Sequence, residues 1–112
     1  MKRVLCLYRV STKGQVDRIT DDIPMQRREC MDFIARMDDW TFYDERVEKG
    51  VSGYKVSAEN RDAILDIRAL AEKKKFDVLL VFMFDRLGRR EDETPFLVEW
   101  FIDHGIEVWS TR

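Results

Sequence analysis

Four strand-like runs, each followed by a segment with helical spacing or by the end of the chain, constrain the fold more than any other feature. The runs lie at residues 4–8, 40–47, 77–84 and 106–109. The helical segments between them begin near Pro24, Asn60 and Thr94. Such alternation is typical of a mostly parallel sheet with helices on both faces. We therefore predict an α/β fold with four or more strands, in one domain that spans residues 1–112.

Proline and glycine predict where the last helix begins and ends. Thr94 and Pro95 suit the cap and first position of a helix, and Gly105 suits its end. If the charged stretch before Thr94 is also helical, Pro95 lies inside the first turns. His104 precedes Gly105, and we expect it to cap helix carbonyls. The lysine run at 73–75 is interpreted as the solvated end of the second helix.

Composition limits the class of protein. Hydrophobic residues make up 45% of the 112, enough for a core without a disulfide or a metal. Cys6 and Cys30 lie in apolar runs without metal-ligand spacing, which favours buried thiols in a reducing compartment. There is neither a signal peptide nor an apolar stretch long enough to span a bilayer, so we expect a soluble, cytoplasmic protein with no membrane partner.

The net charge of −2 provides no general attraction to nucleic acid. Any binding of DNA must therefore depend on local clusters of arginine. Several such residues follow the first and third strands or begin the helices. Because the carboxyl ends of parallel strands meet at one edge of a sheet, we expect these residues to converge there. They are Arg9, Ser11 and Thr12 after the first strand, Asp85, Arg86, Arg89 and Arg90 after the third, and Gln26 and Arg61 at helix starts.

This set of residues suits phosphoryl transfer. Guanidinium groups bind phosphate oxygens and stabilise the charge that builds up on a pentacoordinate phosphorus. Ser11 is the best nucleophile, since Thr12 is crowded at its β-carbon. Each residue also has an ordinary interpretation: Asp85 and Arg86 could form a surface ion pair, and the arginines after the third strand could belong to a solvated turn.

Four sequence blocks occur here in the order and spacing that serine recombinases show. The blocks are Arg9-Val10-Ser11-Thr12, Ile23-Pro24-Met25-Gln26-Arg27, Gly50-Val51-Ser52-Gly53 and Asp85-Arg86-Leu87-Gly88-Arg89. Over nearly its whole length the chain resembles the catalytic domain of this family, which includes resolvases, invertases, integrases and transposases. The resemblance implies a resolvase-like fold and a site-specific DNA recombinase that acts through a 5′-phosphoserine intermediate, without ATP, metal or other cofactor.

The resemblance also assigns roles to residues. Ser11 matches the nucleophile and Arg9 the arginine that contacts the scissile phosphate. Gln26 and Arg61 match a glutamine and an arginine of the site. Asp85, Arg86 and Arg89 match the block in which the arginines bind phosphate and the aspartate orients them.

The resemblance further implies double-stranded DNA sites as the partner, and dimers and tetramers of the full-length protein. Family members continue into a dimerisation helix and DNA-binding modules, which are absent from residues 1–112. We expect this domain alone to bind DNA weakly and not to recombine it.

One residue departs from the family pattern. The family usually has tyrosine two places before the arginine, where this chain has Leu7, and Tyr8 follows on the opposite face of a regular strand. A non-catalytic DNA-assembly domain of the same fold is the first alternative. The second is a doubly wound nucleotide binder, which needs a glycine-rich loop after the first strand, and Gly14 alone does not provide one.

Overall fold

The fold is described from a computed structural model, which covers residues 1–10, 23–49, 62–82 and 93–111. Of residues 9–10, 48–49, 62 and 93–96 only the backbone is described. Strands and helices alternate as predicted. In chain order they are β1 (Lys2–Val10), α1 (Ile23–Arg36), β2 (Trp40–Lys49), α2 (Asp62–Glu72), β3 (Val78–Val81), α3 (Glu93–Asp103) and β4 (Glu107–Ser110).

The four strands form one sheet in the order β2-β1-β3-β4, and every adjacent pair is parallel. The predicted α/β class and parallel sheet are confirmed. β1 pairs with β2 along its whole length and with β3 from Val4 to Leu7. The first and third strands are therefore neighbours at the centre of the sheet, and their carboxyl ends lie at the same edge.

The continuous apolar runs of β1 and β3 arise because both faces of the sheet are covered. On one face, Val4, Cys6 and Tyr8 of β1 pack with Cys30 and Ile34 of α1. On the other face, alternate residues of both strands pack with α2 and α3, forming a core that includes Leu5, Leu7, Ile64, Ile67, Leu79, Val81 and Phe101. All strand residues named here are fully buried.

An irregularity in β2 changes which of its side chains face α1. Phe42 lies beside Val4, but Asp44 lies beside Leu5, so the register skips Tyr43. A bulge of this kind adds one residue to a strand and reverses the alternation beyond it. Glu45 therefore lies beside Cys6 and faces α1, whereas Arg46 faces the other side and reaches Asp66 of α2.

The start of α3 agrees with the second of the two possibilities that the sequence left open, and not with Thr94 as the cap. The helix begins at Glu93, one residue before the expected cap Thr94, so Pro95 is its third residue. Proline is tolerated there because the first N–H groups of a helix have no intrahelical acceptor.

The end of α3 is as predicted. Gly105 has a φ of 80°, and the amides of Gly105 and Ile106 donate to the carbonyls of Ile102 and Phe101. This bond pattern is that of a Schellman cap. The Nδ1 atom of His104 lies 2.8 Å from the carbonyl oxygen of Trp100, which is the predicted capping role.

Ion pairs join the strands at the opposite, amino end of the sheet. Lys2 lies 2.7 Å from Glu107 of β4, and the Nε atom of Arg3 donates to Asp77 at 3.1 Å. The two cysteines are free and buried. Among the described helices, none has the length and apolar character needed to cross a membrane.

Candidate active site

The carboxyl edge of the sheet is where the predicted site residues belong. Arg9 is the penultimate residue of β1. Ser11 follows the last residue of that strand, Val10. Because β1 and β3 are adjacent and parallel, their carboxyl ends lie side by side at the same edge of the sheet. Ser11, Arg61, Asp85, Arg86 and Arg89 lie outside the described residues, as does the side chain of Arg9. Their convergence on one phosphate stays a prediction.

Gln26 is the predicted site residue whose side chain is described. It is fully buried in the first turns of α1. Gln26, Cys30 and Ile34 are spaced four apart and are the buried residues of the helix, so they share the face that packs on the sheet.

The direction of α1 places Gln26 toward the carboxyl end of β1. Cys30 packs with Cys6 of β1 in the same buried cluster. One turn before Cys30, Gln26 lies closer to the start of α1, and a crossover helix runs back against its parallel strands. Gln26 is therefore displaced from Cys6 toward the carboxyl end of β1, the end that Ser11 follows.

Beside Gln26, a hydrogen-bonded ion pair joins three elements. The Tyr8 hydroxyl in β1 donates to Oε1 of Glu45 in β2 at 3.0 Å. Arg27 in α1 donates to the same carboxylate through Nε at 3.1 Å to each oxygen, and through Nη2 at 2.9 Å to Oε2. The guanidinium carbon of Arg27 also lies 5.6 Å from the centre of the Tyr8 ring, within the range of a cation–π contact. We call these three residues the Tyr8 network.

The surroundings of Tyr8 keep its hydroxyl protonated. Burial, and then the neighbouring Cys6 and Glu45, raise the pKa of Tyr8 far above its ordinary value. Its hydroxyl therefore acts as a donor to Glu45 and not as a base. On the other side of the pair, the hydrogen bond to Glu45 raises the pKa of Arg27, which stays cationic.

Sequence reasoning did not identify the Tyr8 network. Arg27 appeared only as part of a sequence block, and Glu45 only as one polar residue of a strand. One signal was available, since a tyrosine in a buried strand normally has a hydrogen-bond partner for its hydroxyl. Its partner lies 37 residues away and faces α1 only because of the bulge in β2.

Comparison with known families gives a match over nearly the whole chain. The family model described as the N-terminal domain of resolvase matches residues 4–112. No curated protein matches the sequence significantly.

Solved structures share the fold. The N-terminal catalytic domain of TP901-1 integrase is 29% identical, with a TM-score of 0.77 over 98% of this chain and 77% of that one. A resolvase-family site-specific recombinase from Streptococcus pneumoniae is 18% identical, with a TM-score of 0.75 over 99% of this chain and 72% of that one. A serine recombinase from Sulfolobus solfataricus is 23% identical, with a TM-score of 0.67 over 98% of this chain and 69% of that one. The last two similarities concern the fold alone.

Proposed function

This chain belongs to the family of resolvase N-terminal domains, the catalytic domains of serine recombinases, and we propose that Ser11 is its nucleophile. The Ser11 Oγ attacks a DNA phosphodiester, the bond from phosphorus to the 3′-oxygen breaks, and the departing oxygen takes a proton. The products are a 5′-phosphoserine and a free 3′-hydroxyl. After exchange, the 3′-hydroxyl of another strand attacks the phosphoserine and restores Ser11.

One observation carries this proposal. The family match begins at Val4 within β1 and extends to Arg112. β1 ends one residue before Ser11 and pairs in parallel with β3. The carboxyl ends of parallel strands are where sites of open α/β sheets form. This topology supports a site that combines Ser11 with the arginines that follow β3.

The remaining site residues have roles that follow from their chemistry. Arg9, Arg61, Arg86 and Arg89 bind the phosphate and stabilise the charge of the pentacoordinate state, each removal costing about a hundredfold or more in rate. Asp85 orients the arginines. Gln26 supplies an amide at the same edge.

The substrate we propose is double-stranded DNA, and the active form is a dimer that pairs into a tetramer. The charge of −2 implies that this domain by itself holds DNA weakly. Dimerisation and site recognition then depend on segments beyond residues 1–112. In a gel shift at low salt, we expect weak, non-specific retention by this chain alone. Tight, site-specific binding would contradict the proposal.

The decisive test is a covalent adduct. A duplex selected from a randomised pool by binding to the full-length recombinase is incubated with that protein, and peptide mass spectrometry locates the attached nucleotide. We expect it on Ser11, with no adduct from Ser11→Ala. Thr12→Ala is the matched control, because it removes the neighbouring hydroxyl and should keep the adduct. Attachment elsewhere, or an adduct from Ser11→Ala, would exclude Ser11 as nucleophile.

A further inference from the structure

We propose that the Tyr8 network is a positioning device for the recombinase site, holding the start of α1 against the carboxyl end of β1. This inference rests on the proposed function, because it concerns the distance between Ser11 and the groups around it. The observation that carries it is the meeting of β1, β2 and α1 on one carboxylate, that of Glu45.

The network lies next to predicted site residues on both elements. In α1, Arg27 directly follows Gln26, and in β1, Tyr8 directly precedes Arg9 and lies three residues before Ser11. Since Arg27 is held by two nitrogens, the contact fixes the direction of the guanidinium as well as its distance. The first turns of α1 therefore cannot slide along β1 without breaking these bonds.

The members of the network are occupied with one another, which distinguishes positioning from catalysis. The Glu45 carboxylate accepts bonds from the Tyr8 hydroxyl and from both Nε and Nη2 of Arg27. The Tyr8 side chain is fully buried, so it cannot reach DNA. Tyr8 therefore acts on the reaction only through the elements that it joins, and the two charged groups are engaged with each other.

Loss of the network should affect the cleavage step more than DNA binding. Displacement of reacting groups by about 1 Å can cost on the order of a hundredfold in rate. Binding depends instead on many phosphate contacts along the duplex. We therefore expect Glu45→Ala to slow adduct formation by about tenfold to a hundredfold under single-turnover conditions, with the Kd for DNA changed less than about twofold.

The chain offers a matched control at the other end of β1. Arg3 pairs with Asp77 through Nε at 3.1 Å, as Arg27 pairs with Glu45, and both arginine side chains are 43% exposed. Arg3→Ala and Arg27→Ala therefore remove ion pairs of similar geometry and exposure, one between β1 and the residue before β3, the other between α1 and β2. We expect only Arg27→Ala to slow adduct formation, while urea unfolding reports comparable losses of stability in both.

The experiment uses the full-length recombinase and the selected duplex described above, with single-turnover adduct formation, Kd and urea midpoint measured for each variant. If Glu45→Ala does not fold, Tyr8→Phe and Glu45→Gln preserve the packing and test the same bonds. In the charge-swapped double variant Arg27→Glu with Glu45→Arg, we expect adduct formation faster than in either single variant, since the ion pair can re-form.

The outcomes separate the two proposals. A Ser11-dependent adduct that forms at the unmodified rate in Tyr8→Phe, Glu45→Gln and Arg27→Ala would overturn the positioning role and leave the proposed function intact. Equal slowing by Arg3→Ala would also overturn it, because the effect would then follow stability. If the unmodified protein forms no Ser11-dependent adduct, the proposed function fails and the positioning role fails with it.

Discussion

Tyr8 is displaced by one residue from the position where serine recombinases usually carry tyrosine, and the two positions are not equivalent. Leu7 belongs to the core beneath α2 and α3, whereas Tyr8 belongs to the core beneath α1. The opposite-face placement that the sequence predicted is confirmed. In this chain the tyrosine therefore joins β1 to β2 and α1, and the other face of the strand is closed by an aliphatic side chain.

At Tyr8, removing the hydroxyl tests the energy of its bond to Glu45. Tyr8→Phe keeps the buried ring and leaves Glu45 paired with Arg27, so we expect a loss of about 0.5–1.5 kcal/mol in the free energy of unfolding. Urea denaturation measures this loss. Tyr43→Phe is the control, since that tyrosine is 38% exposed, and a surface change should stay within about 0.5 kcal/mol. Equal effects of the two substitutions would contradict the energetic role of the bond.

Site residues differ in how well a sequence alone could place them. Arg9 lies at the end of a clear strand, and its place at the carboxyl edge of the sheet was predictable from the rule for parallel sheets, whereas the place of Ser11 stays a prediction. The placement of Glu45 was not predictable, because strict alternation from the buried Trp40 puts Glu45 on the face away from α1. The bulge at Tyr43 corrects the alternation, and a bulge depends on pairing with a strand that is distant in sequence.

Among the helices, the end of α2 differs from that of α3 in one residue type. Both ends carry the same cap: the amides of Lys74 and Lys75 donate to the carbonyls of Ala71 and Leu70. At α2, however, the left-handed position is Lys74, with a φ of 55°. The lysine run was correctly predicted to end this helix, but the sequence carried no glycine to mark which lysine turns the chain.

The cap of α2 can therefore be improved. Lys74→Gly removes the steric cost of a β-carbon in the left-handed region. This gain exceeds the free-energy cost of the more flexible unfolded chain, so we expect about 0.5–1 kcal/mol of stabilisation. Lys73→Gly is the control, because it removes the same charge at a residue without a positive φ and should not stabilise. Differential scanning calorimetry would show a higher Tm only for Lys74→Gly. A higher Tm in both variants would assign the effect to charge.

On the scale of the whole molecule, the alternation of strands and helices was sufficient to predict the fold class. The two central strands were recognisable because both are buried on each face, from Val4 to Tyr8 in β1 and from Val78 to Val81 in β3. The order β2-β1-β3-β4 did not follow from the sequence, since alternation fixes neither the side on which each crossover places its strand nor the register. The same order makes β1 and β3 adjacent, which is the basis of the proposed site.

Charged groups distributed over the molecule predict how its stability depends on pH. Hydrogen bonds from Arg46, Arg3 and Lys2 lower the pKa values of Asp44, Asp77 and Glu107, respectively. The unfolded chain then binds protons more readily than the folded one. The stabilisation is present above about pH 4, the ordinary carboxyl range, and is lost as the pH falls below it.

The loss of stability at alkaline pH has the opposite origin, because there the folded chain binds protons more tightly than the unfolded chain. The hydrogen bond to Cys6, and then burial, raise the pKa of Cys30, as burial does for Tyr8. The folded chain keeps these protons while the unfolded chain releases them above about pH 8.5 for the thiol and about pH 10 for the phenol. The free energy of unfolding should therefore be greatest from about pH 5 to 8 and fall on both sides.

Two substitutions test which groups cause the loss of stability at acidic and at alkaline pH. Asp77→Asn should flatten the dependence below about pH 4, and Cys30→Ala should flatten it between about pH 8.5 and 10, because each removes one group that binds protons differently in the two states. Urea unfolding across this pH range measures both slopes, and each variant serves as the control for the other. If Cys30→Ala leaves the alkaline pH dependence of stability unchanged, the Cys30 thiol does not hold its proton more tightly in the folded chain. Its contact with β1, one turn from Gln26, would then open to water in the folded protein.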